Sequence, residues 1–172
     1  SSDVCSSDLI TPDELYWVLQ SLKFREALFD RNIFGLVQSA HPGFITMWLS
    51  TISSTWQIWW NPELQEEVNW LVGQTWVLPS SGELSQRLHT FHEASRNTLR
   101  WFVTGLWFII LRLLKERISD QRILSLTIFI VLTDLWILGL TSILHVDGLL
   151  ALFCLMALLL ILPKSDTEVS WY

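Results

Sequence analysis

Ile123–Leu144 reads ILSLTIFIVLTDLWILGLTSIL: 22 positions, almost all apolar, with one charge, Asp134. A helical residue rises ~1.5 Å, so the stretch covers roughly 30 Å, the thickness of a bilayer's hydrocarbon core. It is rich in Ile, Leu, Val, Phe and Trp all round and has no polar face to turn to water. Trp101–Leu114 and Leu149–Leu162 are just as apolar, and a chain of 172 residues has too few others to bury three such helices. The sequence predicts an all-α fold: a polytopic helical membrane protein with three or four transmembrane helices and an amphipathic N-terminal helix.

Composition points the same way. Apolar residues make up 51% and charged ones 16%, with a mean hydropathy of +0.38, which is unusual for a water-soluble domain of this size. The 11 tryptophans suit a chain with many membrane–water boundaries, where indole rings settle. A net charge of −6 gives no basic footprint for nucleic acid. Cys5 and Cys154 offer neither a disulfide framework nor a metal cage. No Gly-rich phosphate loop, nucleophile elbow, Cys-x-x-Cys pair or paired catalytic carboxylates occur, so no enzymatic activity and no cofactor are expected.

Residues 1–9, SSDVCSSDL, resemble adapter read-through at the end of a metagenomic gene model and are set aside from fold reasoning. Residues 10–31 are read as the amphipathic N-terminal helix. Thr11-Pro12-Asp13-Glu14 carries a cap, a first-turn proline and a capping-box Glu. Leu15, Val18, Leu19, Leu22 and Phe29 form the apolar stripe, and Glu14, Lys23, Arg25 and Glu26 the polar face. From Asn32 to Pro62 there is no charged residue. After His41-Pro42-Gly43, Phe44–Trp60 reads as a helix with Ile45, Trp48, Ile52, Trp56 and Trp59 on one stripe. Ser50, Thr51, Ser53, Ser54 and Gln57 lower its hydrophobicity. Residues 41–60 can cross the bilayer as a first span or lie in the interface, with Trp56, Trp59 and Trp60 as interface anchors.

Residues 61–97 read as an extracytoplasmic helical hairpin. Its first helix runs from Pro62 to about Val77, with Leu64, Val68, Leu71, Val72 and Trp76 inward. A turn follows at Pro79–Glu83, where Ser80 and Glu83 form a second capping box. Leu84, Leu88, Phe91, Ser95 and Leu99 then lead without a break into the apolar Trp101–Leu114, predicting one helix from about Ser81 to Arg117. Residues 98–164 form a three-helix transmembrane region with turns at Lys115–Arg122 and His145–Gly148, and residues 165–172 a polar tail. Arg112, Lys115, Arg117 and Arg122 cluster at the first turn and no Lys or Arg at the second, so the positive-inside rule places the first in the cytoplasm. If 41–60 also spans, every loop obeys the rule.

Asp134 is the leading functional candidate, because a charge in mid-span is costly and faces a partner or a water path. It falls ~18 Å deep from the cytoplasmic turn and Arg100 roughly 22 Å, level enough to pair, whereas Arg112, ~5 Å deep, snorkels. His89, His92 and Glu93 stand at i, i+3, i+4. The two imidazoles can share a metal, with His41 as a third ligand if the fold brings it there, but His-Glu-x-x-His is absent. Juxtamembrane polar residues are the plainer reading of both histidines. His145 and Asp147 read as a solvated loop pair, and Gly105 and Gly139 as small residues that let helices approach closely.

A first span ending in aromatics and followed by Pro-Glu (Trp59-Trp60-Asn61-Pro62-Glu63), then an extracytoplasmic helical segment and a C-terminal group of spans, resembles the inner-membrane proteins of conjugative plasmids and integrating conjugative elements. In those proteins Asp-Gly precedes a strongly basic stretch; here Asp147-Gly148 leads into Leu149. The resemblance implies a multi-pass protein of the bacterial inner (cytoplasmic) membrane. Taken together, the expected function is a non-enzymatic membrane subunit or scaffold of a larger envelope assembly, with lipid and other subunits as partners. The alternative is a small transporter or channel component using Asp134.

Overall fold

The computed structural model describes residues 12–32, 34–36, 44–74, 82–134 and 146–163. Among them are six α-helices, one short 3-10 turn and no strand. The helices are α1 (Pro12–Phe29), α2 (Phe44–Trp60), α3 (Leu64–Val72), α4 (Gly82–Arg117), α5 (Gln121–Thr133) and α6 (Val146–Ile161), with the 3-10 turn at Phe34–Leu36. The chain divides into two compact units, Ser1–Thr98 and Leu99–Tyr172. The all-α expectation holds.

In the first unit α1 is the buried helix. Leu15, Trp17, Val18, Leu19, Leu22, Phe24 and Ala27 are buried, and so are Glu14, Gln20, Ser21 and Arg25. Tyr16, Lys23, Glu26 and Leu28 are half-buried, and the polar residues of α1 turn largely to partners on other helices. Phe29, counted on the apolar stripe, is exposed instead. At the end of α1 the Asn32 N–H bonds Ala27 O at 2.8 Å and the Arg31 N–H bonds Leu28 O at 3.3 Å, the double closure of a Schellman cap. Arg31 takes the left-handed position (φ 55°) usually given to glycine. Gly35 then lies so close to α1 that a Cβ there would stand 2.9 Å from Ala27 Cβ.

α2 packs with its polarity inverted. Thr46, Ser50, Thr51, Ser53 and Ser54 are buried, whereas Phe44, Ile45, Ile52, Trp56, Trp59 and Trp60 are exposed. Thr51 Oγ1 donates to Ser21 O of α1 at 3.2 Å, and Thr55 Oγ1 to Thr51 O at 2.7 Å. Hydroxyls that return to the carbonyl four residues back also occur at Ser21, Ser95, Thr104, Ser125 and Thr133. That pattern satisfies a hydroxyl without water.

α3 buries Val68 and Leu71 but stops at Val72, short of the expected Val77. Gly73 and Gln74 close it, and Trp76 and Ser80 lie outside the described residues. The predicted long helix is present as α4, 36 residues, with Leu88, Phe91, Ser95 and Leu99 buried as expected and Leu84 half-buried.

In the second unit the buried stripe of α4 continues as Val103, Leu106, Ile110 and Leu114, joined in the core by Leu124 of α5 and Leu149, Leu152 and Leu159 of α6. The Phe102 and Phe153 rings lie 6.4 Å apart, and Arg117 Nη2 donates to Leu160 O at 3.5 Å. Both indices rise together, so α4 and α6 run side by side in the same direction. Asp147 in the first turn and Arg117 at the last carbonyls complement the dipole of α6. Residues 146–148, expected in a turn, already belong to that helix.

The continuous helix expected over Ile123–Leu144 is corrected. α5 ends at Thr133, and Asp134 leaves it in an extended conformation (ψ 107°), in keeping with the preference of Asp for helix ends. α5 starts on an N-cap the sequence reading passed over: Asp120 accepts from Arg122 N at 2.8 Å and Ile123 N at 3.4 Å. Gly105 makes no close approach, since a Cβ there would meet nothing within 4 Å. Among the described residues one helix, Glu83–Arg117, is long and apolar enough to cross a membrane, while α5 and α6 are apolar but shorter. Residues 1–9, His41, Gly139, His145 and residues 165–172 lie outside the described residues.

Two substitutions test the join between α1 and the 3-10 turn. Gly35→Ala forces a clash with Ala27 and is expected to cost about 1–3 kcal/mol. Arg31→Gly relieves the left-handed position and is expected to gain about 1 kcal/mol. Thermal unfolding of the solubilised chain reads both, and an unchanged midpoint for Gly35→Ala would separate the turn from α1.

Candidate functional site

Asp134, Arg100, the tryptophans of α2, His89 and His92 all fall among the described residues. Asp134 is exposed at the C-terminal end of α5 and Arg100 is exposed on α4. Asp134 is therefore not in mid-helix, and the depth count that set it level with Arg100 along one unbroken helix no longer applies. Trp56, Trp59 and Trp60 form a cluster at the end of α2, with ring centroids 5.2–6.1 Å apart and exposures of 60, 67 and 69%. Rings this close touch one another and leave no cage between them for a ligand. Their outward position suits interface anchors.

His89 and His92 diverge. His89 Nδ1 stands 3.7 Å from Glu93 on the exposed side of α4. The His92 side chain is 1% exposed and its Nε2 points to Glu14 of α1, 3.6 Å away. The two ring centroids are 6.3 Å apart. Among the described residues no three His, Cys, Asp or Glu side chains gather where a metal could bind; His92 is a core histidine and His89 lies at the surface. The reason is helical geometry: positions three apart differ by about 60° around the axis, enough here to put one ring inside and one out.

Two buried charge clusters escaped the sequence reading. In the first, Glu14 of α1, 1% exposed, lies 3.3 Å from Arg96 Nε and beside His92, both on α4. His92 Nε2 is buried without a hydrogen-bond partner. In the second, Arg25 of α1 donates to Thr55 Oγ1 of α2 at 3.3 Å and to Gln65 Oε1 of α3 at 3.1 Å, pairs with Glu26, and stacks 4.9 Å over the Phe29 ring. Gln65 returns to Glu26 at 3.3 Å and reaches Asn69 at 2.9 Å. Lys23 Nζ adds a bond to Gln74 O at 2.9 Å. Every charge thought to lie on the wet face of α1 thus holds another residue, mostly across helices. No local signal shows this, because the partners on other helices are 30 to 82 positions away.

Beside α2, Leu28, Phe29, Trp48, Ile52, Trp56 and Trp59 line an apolar groove of about 450 Å³, with Thr51 and Thr55 in its wall. Both hydroxyls are engaged within the protein, so the groove offers shape and apolar surface and few polar handles. None of the residues lining it is ionisable or an ordinary metal ligand.

Breaking a buried ion pair from one side leaves an uncompensated charge and costs about 3–5 kcal/mol. Glu14→Ala is expected to fall at the lower end of that range, since Arg96 is 13% exposed. The comparison is Glu66→Ala, an exposed carboxylate on α3, expected near zero. Equal losses for the two variants would show that Glu14 does not hold α1 to α4. No protein-family model, curated protein or solved structure matches the chain.

Proposed function

We propose that the chain is a non-enzymatic integral membrane subunit, a scaffold or accessory piece of a larger assembly in the cytoplasmic membrane, such as a transfer or secretion apparatus. One observation carries the reading. The second unit exposes Trp101 (78%), Phe108 (71%), Phe129 (64%) and Ile161 (81%), among many other large apolar side chains. Exposed apolar surface on this scale needs lipid or protein around it. The same direction of α4 and α6 is what three successive spans joined by turns require, and the Arg112–Arg117 cluster marks the cytoplasmic end under the positive-inside rule.

The scaffold assignment rests on what the polar groups do. Glu14, Arg25, Glu26 and Lys23 hold helices together, which is the work of a structural framework. Meanwhile the outer faces of α3 and α4 in the first unit carry Glu63, Glu66, Glu83, Gln86 and Glu93, a solvated surface open to further subunits. A transporter using Asp134 remains the second reading, favoured by the exposed carboxylate at the end of an apolar helix.

Affinity purification after in-membrane crosslinking tests the proposal. The expected result is recovery of the same partner subunits in fixed ratio from native membranes, with the chain held in detergent. A chain that stays monodisperse in detergent-free buffer, or is recovered alone, would overturn it. Ion flux in reconstituted vesicles that is lost on Asp134→Asn would instead select the transporter reading.

A further inference from the structure

The first unit segregates charge. Its α3 and α4 faces expose Glu63, Glu66, Glu83 and Glu93, and Arg87 lies 4.5 Å over the Trp70 ring between those helices. α2 contributes no charge at all, and its exposed side is Phe44, Ile45, Ile52, Trp56, Trp59 and Trp60. Its hydroxyls are turned inward: Thr51 donates to α1, Ser54 and Thr55 donate back to α2, and Ser50 Oγ is buried without a hydrogen-bond partner. A helix sorted this way has been fitted to an apolar exterior on one side only.

We infer that the outer face of α2 is a docking surface for a lipid bilayer, lying in the plane of the headgroup–acyl boundary and not crossing it. Charge decides between the two placements. A crossing α2 would draw Arg25, Glu26 and Gln65, bonded around Thr55, and the carboxylates of α3 into the hydrocarbon, where each charge is costly. An in-plane α2 sinks only its apolar stripe, by ~5–10 Å, and leaves the acidic faces in water. The stripe runs from Ile45 to Trp59, and so along nearly the whole helix, as an in-plane helix needs. The groove beside Trp48 and Phe29, about 450 Å³, opens on the same face and takes an acyl chain of the same bilayer. No linker separates this unit from the apolar one in the chain, because α4 passes from Thr98 to Leu99 as continuous helix. The inference rests on the membrane placement proposed for the second unit, and it replaces a four-span topology with three spans and one surface helix.

The test uses the full chain with Cys5→Ser and Cys154→Ser, carrying one spin-labelled cysteine at a time, in phosphatidylethanolamine–phosphatidylglycerol vesicles. Ile45→Cys, Ile52→Cys and Trp59→Cys report on the stripe, Glu66→Cys and Gln86→Cys on the acidic faces, and Phe108→Cys and Phe129→Cys on the second unit. The oxygen-to-nickel accessibility ratio is expected to be severalfold higher along the stripe than at Glu66 or Gln86, with one shallow depth at all three stripe positions. A depth that peaks at Ile52 and falls towards Ile45 and Trp59 would overturn the in-plane placement. Water-accessible stripe labels with lipid-accessible Phe108 and Phe129 would overturn this inference alone. Water access at Phe108 and Phe129 too would overturn the proposed function with it. Stripe labels shielded from both reagents and broadened by a neighbouring label would assign the face to a second copy of the chain.

Discussion

Hydroxyl groups inside and indoles outside is an arrangement water would reverse. In α2, Thr46, Ser50, Thr51, Ser53 and Ser54 are buried while three tryptophans stand exposed, and the rest of the first unit follows from that inversion. Small hydroxylated side chains let α1 come close enough for Thr51 to reach Ser21 O and for Arg25 to reach Thr55. Close approach then puts the charges of α1 where only other helices can satisfy them. Glu14 meets Arg96, and Arg25 meets Gln65 and Glu26. Ion pairs of this kind contribute little net stability against an apolar replacement, but losing one partner is severe. Their consequence is register: α1 cannot slide against α3 or α4 without stranding a charge.

Periodicity exposed the elements well. The extent of α4, its stripe of Leu88, Phe91, Ser95 and Leu99, and the inward Val68 and Leu71 of α3 were all legible, since each depends on spacing along one helix. What spacing cannot say is which face turns inward when the exterior is not known to be water. For α2 the two faces were separated correctly in the sequence, and the direction of burial came only with the structure. For α1 the assumption that charged means wet failed at Glu14 and Arg25, whose partners lie far along the chain. Asp134 misled in another way. Hydropathy averages over a window and passes smoothly across the residue, while the backbone answers to local chemistry and leaves the helix there. The cap at Asp120 was legible, as Asp before an apolar run is an ordinary helix start.

The candidate histidines show how strongly a site depends on the third dimension. At i, i+3 they met the spacing for a shared ligand, yet one ring is buried against Glu14 and the other is on the surface beside Glu93. The buried member gains its interest from α1, which no reading confined to α4 would bring in. Its Nε2 sits a little beyond hydrogen-bond reach of a carboxylate already close to Arg96, an arrangement in which guanidinium and imidazole compete for one anion.

Length binds the second unit together. Arg100 and Arg112 are both exposed on α4, and the apolar band between them is only ~18 Å long at 1.5 Å per residue. α5 has 13 residues and α6 has 16, roughly 20 and 24 Å. α5 and α6 fall short of a ~30 Å hydrocarbon core, whereas α4, with 36 residues, is long and apolar enough to reach across one. One short helix among long ones would be a local defect, relieved by tilting its neighbours. To the two short helices tilt is of no use, because tilt shortens a span further. Under the membrane placement proposed above, the remaining responses are snorkelling of Arg100 and Arg112 along their own stems and local thinning of the bilayer around the unit. Thinning lowers the interface towards the protein, and an apolar helix lying flat in that interface, as inferred for α2, displaces headgroups and favours the same deformation.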